Sequence, residues 1–245
     1  MSDPGSLART AAAGLDGAVI AFDLDGTLVD TAPDLIGTLN HLLAEEGLPA
    51  LPLDEARPFI GHGARRLLER GFHAAGQVLH PNRLQHLFER FIPHYLGRIA
   101  QESRPFPGCE AALDLLRDQG ARLCVCTNKP TDLSIALLDA LDLSRRFEAI
   151  IGPDRAPAAK PDASHLRTAV EAAGGDIRRA ILVGDSGTDA GAARAAGAGL
   201  ILVSFGYTEI PVADLGPDEL VHSFGDLPAA CLRLLGACGA KPEAL

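Results

Sequence analysis

Short apolar runs alternate with amphipathic stretches in the second half of the chain, and this alternation constrains the fold most. The runs are apolar at nearly every position, which is expected for strands covered on both faces of a sheet. Counting a similar run near the start, we predict strands over residues 18–23, 121–127, 149–152, 180–185 and 200–204. The intervening stretches have helical periodicity and cover residues 132–141, 162–173 and 187–196. The repeated strand–helix–strand order predicts a parallel α/β sheet with right-handed crossovers.

No second strand closely follows the first one. Residues 33–102 instead show helical periodicity throughout, with two apolar stripes. The stripes consist of Leu35, Ile36, Leu39, Leu42 and Leu43, and of Leu84, Leu87, Phe88, Phe91, Tyr95 and Ile99. We therefore predict an α/β core that is interrupted by a helical insertion after its first strand. The predicted boundaries are a flexible N-terminus at 1–17, a core at 18–31 and 103–245, and the insertion at 32–102.

Charge and composition argue against several kinds of partner. The net charge is -10, whereas nucleic acids and anionic membranes are bound by clustered Lys and Arg. No apolar run is long enough to cross a membrane, and residues 1–17 lack the apolar segment of a secretory signal. The five cysteines are scattered without a zinc-binding pattern and are expected as buried thiols in a reducing compartment. We predict a cytoplasmic monomer or homodimer that binds neither nucleic acid nor membrane.

Two carboxylates follow the first strand, in the segment Asp23-Leu24-Asp25-Gly26-Thr27. Side chains alternate along an extended chain, so Asp23 and Asp25 should face the same way. Neighbouring carboxylates repel each other unless a cation binds or one of them takes up a proton. With a metal ion bound, Asp23 would be an anionic nucleophile while Asp25 transfers a proton. An ordinary Asp-Gly turn after a strand would explain the same residues.

A second acidic pair follows the strand predicted at 180–185. Asp185 stands at its carboxyl end, and Asp189 comes about one helical turn later. Ligands of open α/β sheets bind outside the carboxyl ends of the strands, so both acidic segments could hold one hard cation such as Mg²⁺. The alternative is structural, with Asp185 as a helix N-cap and Asp189 as a solvated acid in the first turn.

Two further segments carry residues suited to phosphate. Thr127-Asn128-Lys129 ends a predicted strand and offers a hydroxyl and backbone N–H groups. Lys160 precedes a helix and could neutralise a phosphoryl group as a point charge. Taken alone, Thr127 could be a cap and Lys160 a surface lysine. Together the four segments supply a nucleophile, a proton carrier, metal ligands, a hydroxyl and a cation at one edge of the sheet.

These four segments, in this order, resemble the signature motifs of the haloacid-dehalogenase superfamily of phosphohydrolases over almost the whole chain. The matching stretches are DLDGTLVDT, CTNK, the lysine of AKPD and VGDSGTDA. The resemblance implies a Rossmann-like parallel sheet in which the insertion at 32–102 is a helical cap domain. It also implies an aspartyl-phosphate mechanism with Asp23 as the nucleophile and Asp25 as the general acid and base.

The same resemblance implies the ligands of the phosphoryl group and of the metal ion. The implied phosphate ligands are Thr127, Asn128 and Lys160, of which Thr127 and Lys160 also act in catalysis. The implied cofactor is Mg²⁺. Its implied ligands are Asp23, the backbone carbonyl of Asp25, and Asp185, with Asp189 nearby or linked through water.

Within the superfamily, the chain is most similar to the bacterial phosphoglycolate phosphatases, in the segments FIGHGARRLL (59–68) and VSFGY (203–207). This similarity implies hydrolysis of a small phosphorylated metabolite, 2-phosphoglycolate. A phosphatase for a sugar phosphate or pyrophosphate, and a phosphosugar mutase, remain open at this point because they share the core. Dehalogenation is disfavoured, since halide displacement has no leaving alkoxide for Asp25 to protonate.

The cap segment contains the candidates for substrate recognition. The carboxylate of 2-phosphoglycolate would require a cation in the cap, and Arg65 is the first candidate, ahead of Arg66 and His62. Gly61 and Gly63 would let the backbone approach the ligand closely. An arginine at the start of a helix could equally be solvated.

Overall fold

A parallel sheet of six strands forms the centre of the computed structural model, which describes residues 14–208 and 210–238. The strands of the chain are β1 (Val19–Phe22), β2 (Val29–Asp30), β3 (Arg104–Pro105), β4 (Arg122–Cys126), β5 (Ala149–Ile151), β6 (Ala180–Gly184), β7 (Gly199–Val203) and β8 (Glu219–Val221). The large sheet has the order β5-β4-β1-β6-β7-β8, while β2 and β3 form a separate antiparallel pair. Strand β1 therefore lies between β4 and β6, with Val19 opposite both Arg122 and Ala180.

The helices of the described chain alternate with the core strands or lie in the insertion. They are α1 (Ala32–Glu45), α2 (Leu53–Ala56), α3 (Ala64–Ala74), α4 (Pro81–Leu96), α5 (Cys109–Asp118), α6 (Thr131–Ala140), α7 (Ala163–Ala172), α8 (Gly187–Ala196) and α9 (Leu227–Cys238). All five predicted strands, and the three helices predicted between them, are found within one residue of their expected ends. Strand β8 is not indicated by the apolar pattern, because it spans three residues at the edge of the sheet and contains Glu219.

Both faces of the sheet are covered, which explains the apolar character of its strands. In β1, Ile20 and Phe22 belong to one buried cluster, to which α5, α6 and α9 contribute. Val19 and Ala21, which alternate with them, belong to a second cluster with residues of α7 and α8. All four side chains are fully buried. The prediction of a parallel α/β sheet is confirmed.

The insertion between β2 and β3 consists of the four helices α1 to α4. Its buried cluster contains both predicted apolar stripes, in which Phe88 and Ile99 are only partly buried. The expectation that no strand closely follows β1 is wrong in detail. The two-residue strand β2 pairs with β3 at the place where the chain enters and leaves the insertion. Pairs of this length carry no periodicity that a sequence pattern could reveal.

Asp34 ties the start of the insertion to its end. Its buried carboxylate accepts hydrogen bonds from the N–H and hydroxyl of Ser103 (2.8 and 2.7 Å) and from the N–H of Glu102 (3.0 Å). Arg98 Nε adds a contact of 3.3 Å. Burial opposes the charge, but these hydrogen bonds hold the pKa of Asp34 below its usual value. The two ends of the insertion are thereby clamped next to β2 and β3.

Some predictions concern the ends of the chain and its thiols. The boundaries of core and insertion stay a prediction, and residues 1–13 of the proposed flexible N-terminus lie outside the described residues. Leu15, within the predicted terminus, is buried in the core, and its N–H donates to Gln119 (3.0 Å).

Cys109, Cys124, Cys126 and Cys231 are buried, as predicted, whereas the side chain of Cys238 is not described. Within the described ranges, no helix combines the length and apolar character needed to cross a bilayer.

Candidate active site

The residues predicted at strand ends meet at the carboxyl edge of the sheet. Asp23 follows β1, Thr127 follows β4 and Asp185 follows β6, and these three strands are neighbours. The N–H of Asp23 still donates to the carbonyl of Val183 (2.9 Å), and that of Thr127 to Ile151 (3.1 Å). Hydrogen bonds to the neighbouring strands thus fix the backbone of Asp23 and of Thr127, each one residue beyond the end of its own strand. Parallel strands end at a common edge, which is why motifs far apart in sequence converge here.

Lys160 forms a buried cluster with two carboxylates. Its Nζ lies 3.0 Å from Asp23 Oδ1 and 2.6 Å from Asp189 Oδ1. Burial acts to lower the pKa of Lys160, but Asp189 and Asp23 raise that pKa above its usual value, so the ammonium stays charged. Burial raises the pKa of Asp23 to about 6, against the attraction of Lys160. The structure therefore brings the predicted cation to the predicted nucleophile.

Three buried carboxylates form a candidate metal site. One oxygen each of Asp23, Asp185 and Asp189 lies within 4.8 Å of the other two. Burial, together with repulsion by Asp189 and Asp23, raises the pKa of Asp185 well above its usual value. A bound cation would relieve this repulsion, and a set of carboxylate oxygens fits Mg²⁺. Asp189 also accepts hydrogen bonds from the N–H and hydroxyl of Ser186 (3.1 and 2.6 Å), which suits a place behind the metal ligands.

Contacts from two loops orient the carboxylate of Asp185. The Thr27 hydroxyl donates to Oδ1 (3.2 Å) and the Tyr207 N–H donates to Oδ2 (2.6 Å). A Cβ atom on Gly26, whose φ is +84°, would lie 2.5 Å from Oδ2, and one on Gly206 would lie 2.2 Å from the Asp185 Cβ. Both loops can approach Asp185 this closely only because these positions are glycine. Sequence reasoning noted the segment 203–207 but missed these contacts.

Asp25 pairs with a lysine that the sequence did not assign to the site. Lys129 Nζ lies 3.1 and 3.4 Å from the two oxygens of Asp25 and 4.5 Å from the centre of the Tyr95 ring. Burial opposes its charge, but Asp25 and Tyr95 raise the pKa of Lys129 above its usual value. Its place two residues after Thr127, at the end of a central strand, is the signal that could have indicated it.

Thr127 and Asn128 play different parts in the structure. The Thr127 hydroxyl accepts a hydrogen bond from the N–H of Lys129 (3.2 Å), and a hydroxyl in this position can still donate its own proton. The Asn128 side chain instead exchanges two hydrogen bonds with the backbone of Lys160 (3.1 and 3.0 Å). Its amide group therefore holds the loop that carries Lys160.

A cavity of about 30 Å³ separates these core residues from the cap. Its core side is lined by Asp23, Asp25, Thr127, Asn128, Lys129, Pro130 and Leu133. Its cap side is lined by Leu35, Ile60, Gly61, Gly63, Ala64, Leu67, Phe91 and Tyr95. Gly61 and Gly63 have φ values of +105° and +83°, in the region that favours glycine. The two predicted cap glycines thus lie at the cavity.

The structure does not bring Arg65 or Arg66 to this cavity. Arg65 is exposed, donates to Gln85 (2.5 Å) and lies 4.2 Å from the centre of the Phe88 ring. Arg66 is also exposed and pairs with Glu69 (2.9 Å). Residues three apart share a helix face, so Ala64 and Leu67 of α3 face the cavity together while the arginines between them point elsewhere. His62 is exposed and is not among the lining residues.

Comparisons with known proteins indicate the family to which the chain is similar. The family model for haloacid dehalogenase-like hydrolases matches residues 20–203. A phosphoglycolate phosphatase of Caulobacter vibrioides is 60% identical over 231 residues, which cover 94% of this chain and 98% of that protein. A phosphoglycolate phosphatase of Agrobacterium fabrum is 44% identical, covering 89% and 94%.

Solved structures agree with the sequence relatives. The crystal structure of a predicted phosphoglycolate phosphatase from Haemophilus somnus 129PT has a TM-score of 0.80 to this chain. The two proteins are 29% identical, and the match covers 88% of this chain and 98% of the other. The chain therefore belongs to the haloacid dehalogenase-like hydrolase family and is one of its phosphatases.

Proposed function

We propose that this phosphatase hydrolyses 2-phosphoglycolate in a Mg²⁺-dependent reaction that proceeds through phosphorylated Asp23. The position of Asp23 carries the proposal. Its carboxylate lies at the cavity, 3.0 Å from the charged Lys160, and the Leu24 N–H donates to the same oxygen, Oδ1, at 2.7 Å. These contacts leave Oδ2 as the oxygen that attacks phosphorus.

The reaction requires two displacements at phosphorus. In the first, Asp23 attacks, the bond to the ester oxygen breaks, and Asp25 donates a proton to the departing alkoxide. In the second, Asp25 takes a proton from a water molecule that attacks the aspartyl-phosphate, which releases inorganic phosphate and restores Asp23. Both carboxyl groups line the cavity, as this sequence of proton transfers requires.

The remaining polar groups bind and orient the transferring phosphoryl group. Lys160 offsets its negative charge, and the Thr127 hydroxyl donates to one of its oxygens. Asp23 and Asp185 would hold Mg²⁺, with Asp189 behind them and the Asp25 carbonyl as the further ligand. When bound, the metal ion supplies electrostatic stabilisation of the phosphoryl charge. Asn128 acts indirectly, because its amide positions the backbone of Lys160.

Two observations support 2-phosphoglycolate as the substrate. The relatives that match most of the chain are phosphoglycolate phosphatases by name. The cavity is small and its cap side is mostly apolar, which favours a two-carbon tail over the hydroxyl-rich ring of a sugar phosphate.

Phosphate release from a panel of small phosphate compounds tests the proposal. The panel contains 2-phosphoglycolate, ethyl phosphate, glucose 6-phosphate and pyrophosphate, each with Mg²⁺ or with EDTA. We expect turnover to be highest on 2-phosphoglycolate, and to be lost with EDTA and in Asp23→Asn. Asp132→Asn is the matched control, since the Asp132 side chain is 94% exposed on α6. After an acid quench, wild type incubated with ³²P-labelled substrate should carry an alkali-labile label that Asp23→Asn lacks.

The other outcomes separate the mechanism from the substrate. Highest turnover on glucose 6-phosphate or pyrophosphate would keep the mechanism and discard the substrate. An isomerised sugar phosphate without phosphate release would indicate a mutase. Full activity in EDTA would contradict the metal requirement, and activity in Asp23→Asn would contradict the aspartyl-phosphate.

A further inference from the structure

The candidate active site contains one more buried cation than phosphoryl transfer requires. Lys160 already contacts the nucleophile Asp23. Lys129 is a second ammonium, which itself lines the cavity and has a side chain only 4% exposed. A buried ammonium is unfavourable unless anions or other partners compensate it. Asp25 compensates Lys129 from one side and the ring of Tyr95 from another, which holds the charge at the boundary between core and cap.

The Tyr95 hydroxyl lies at the same place. It is buried and interacts with the Lys129 ammonium, which can only donate, and the described part of the chain offers its own proton no acceptor of good geometry. Buried hydroxyls usually have a hydrogen-bond partner. Tyr95 is itself fully buried and lines the cavity, together with the apolar residues Leu67 and Phe91. An anionic oxygen beside Lys129 would give the proton of this hydroxyl an acceptor.

The length of the proposed substrate fits this arrangement. The ester oxygen of 2-phosphoglycolate would contact Asp25, which protonates it, and a single methylene separates that oxygen from the carboxyl carbon. Lys129 Nζ lies 3.1 Å from Asp25 Oδ1. With the ester oxygen at Asp25, the substrate carboxylate, one methylene away, would therefore come within reach of the ammonium. An ammonium has three N–H donors, enough for Asp25 and a substrate carboxylate together.

We infer that Lys129, with the Tyr95 hydroxyl, binds the carboxylate of the substrate and thereby selects phosphate esters with an acidic tail. The inference rests on the proposed function and names the group that gives it specificity. It replaces Arg65, whose guanidinium is engaged with Gln85 and Phe88 outside the cavity. The selecting cation therefore comes from the core, two residues from the phosphate-binding Thr127.

Two substrates that differ only in the tail test this inference. Ethyl phosphate matches 2-phosphoglycolate in its two carbons but has a methyl group in place of the carboxylate. The measured quantity is the ratio of kcat/KM for 2-phosphoglycolate to that for ethyl phosphate. We expect Lys129→Met to lower the ratio by about 10- to 100-fold, the range for loss of a charge-assisted hydrogen bond. Tyr95→Phe removes only the hydroxyl and should lower it by about 3- to 10-fold.

Binding of ligands that the enzyme cannot hydrolyse separates substrate selection from catalysis. The ligands are 3-phosphonopropionate, a non-hydrolysable analogue with the carboxylate, and propylphosphonate, the same chain without it. Calorimetry should show that wild type binds the first more tightly, and that Lys129→Met removes this difference. If Lys129→Met weakened both ligands equally and kept the difference, Lys129 would only position Asp25 and the inference would be overturned. Loss of the difference in Arg65→Met instead would return the role to Arg65.

Failure of the proposed function is recognised in the wild-type protein. If wild type showed no preference for 2-phosphoglycolate over ethyl phosphate, both the substrate and the carboxylate site would be wrong. If wild type showed the preference and Lys129→Met and Tyr95→Phe both retained it, the substrate would stand and only the assignment to Lys129 and Tyr95 would fail. Because Tyr95→Phe changes a single atom, it keeps the test decisive even if Lys129→Met does not fold.

Discussion

The two walls of the active-site cavity are built from different kinds of residue. On the core side, Asp23 lines the cavity and Asp185 lies in the same carboxylate cluster. Both stand directly after strands, and backbone N–H groups donate to their carboxylates at 2.7 and 2.6 Å. On the cap side, Ile60 and Leu67 contribute apolar side chains and Gly61 contributes backbone without a side chain. The charges of the cavity therefore come from the core, while the cap supplies shape and one hydroxyl.

This difference shows what each part of the molecule is suited to hold. Like charges as close as those of Asp23 and Asp185 need rigid supports, because a flexible backbone would move to separate them. The ladders of a central sheet provide that rigidity. The packed helices of the cap line the cavity without placing a charged side chain there. Substitutions on the core side should therefore change chemistry, and those at the boundary should change selectivity or stability.

The largest effect is expected for the proton carrier. Asp25→Asn should lower kcat by about 10²- to 10⁴-fold, the usual contribution of general acid–base catalysis. In the proposed mechanism Asp25 acts on the ester oxygen common to both substrates, so the loss should be similar for 2-phosphoglycolate and ethyl phosphate. Steady-state kinetics on both esters measure this. A loss confined to 2-phosphoglycolate would indicate that Asp25 recognises the substrate carboxylate. It would contradict the assignment of chemistry to the core side and of selectivity to the boundary with the cap.

A smaller effect is expected when the metal site is removed, and it is measured as the change in Tm on addition of Mg²⁺. A metal ion at a hundredfold excess over its Kd stabilises the folded state by roughly 2.7 kcal/mol, on the order of 5–10 °C in Tm for a chain of this size. Wild type should show this shift with Mg²⁺, and Asp185→Asn should not. Without metal, Asp185→Asn should melt at or above the wild-type Tm, because it removes one of the repelling carboxylates.

Lys129→Met is the matched control for this measurement. Lys129 lies outside the three-carboxylate cluster, so its removal should leave the Mg²⁺ shift in place. Thermal melts with Mg²⁺ and with EDTA would compare the three proteins. A full Mg²⁺ shift in Asp185→Asn would show that the ion binds elsewhere.

The smallest effect is expected at the clamp between core and cap, where Asp34 responds to pH. Its folded pKa lies below the usual value of 3.8, so the ionised form stabilises the folded state above that value. This stability is lost as the pH falls through the lower folded pKa. Asp34→Asn should therefore be less stable than wild type by about 1–3 kcal/mol at pH 7, with the difference narrowing below pH 4. Urea unfolding at pH 7, 5 and 3.5 tests this, and a constant difference would contradict it.

The sequence predicted the core more completely than the cap site. The apolar runs ending at Asp23, Thr127 and Asp185 identified three neighbouring strands. A strand that is buried on both faces is apolar at nearly every position, and this pattern is visible in the local sequence. The roles of these residues followed from their shared sheet edge and from the family resemblance, and they stay predictions until the proposed variants are measured. The contacts of Thr127 and Asn128 could not be separated from sequence, since the two residues are adjacent and both polar. Only the fold shows that the Asn128 amide is turned to the backbone of Lys160.

By itself, the sequence determined five of the six strands of the large sheet and the chemical groups that stand at their ends, because both depend on residues close together along the chain. Only the tertiary structure decided which cation lies at the cavity. Arg65 and Lys129 each occupy a plausible position in sequence, but the rotation of α3 places Arg65 against Gln85, outside the cavity. Lys129 becomes part of the cavity because Asp25 and Tyr95, from distant segments, pack around its ammonium. The direction and burial of a long charged side chain depend on such contacts between segments, and these are absent from the local pattern.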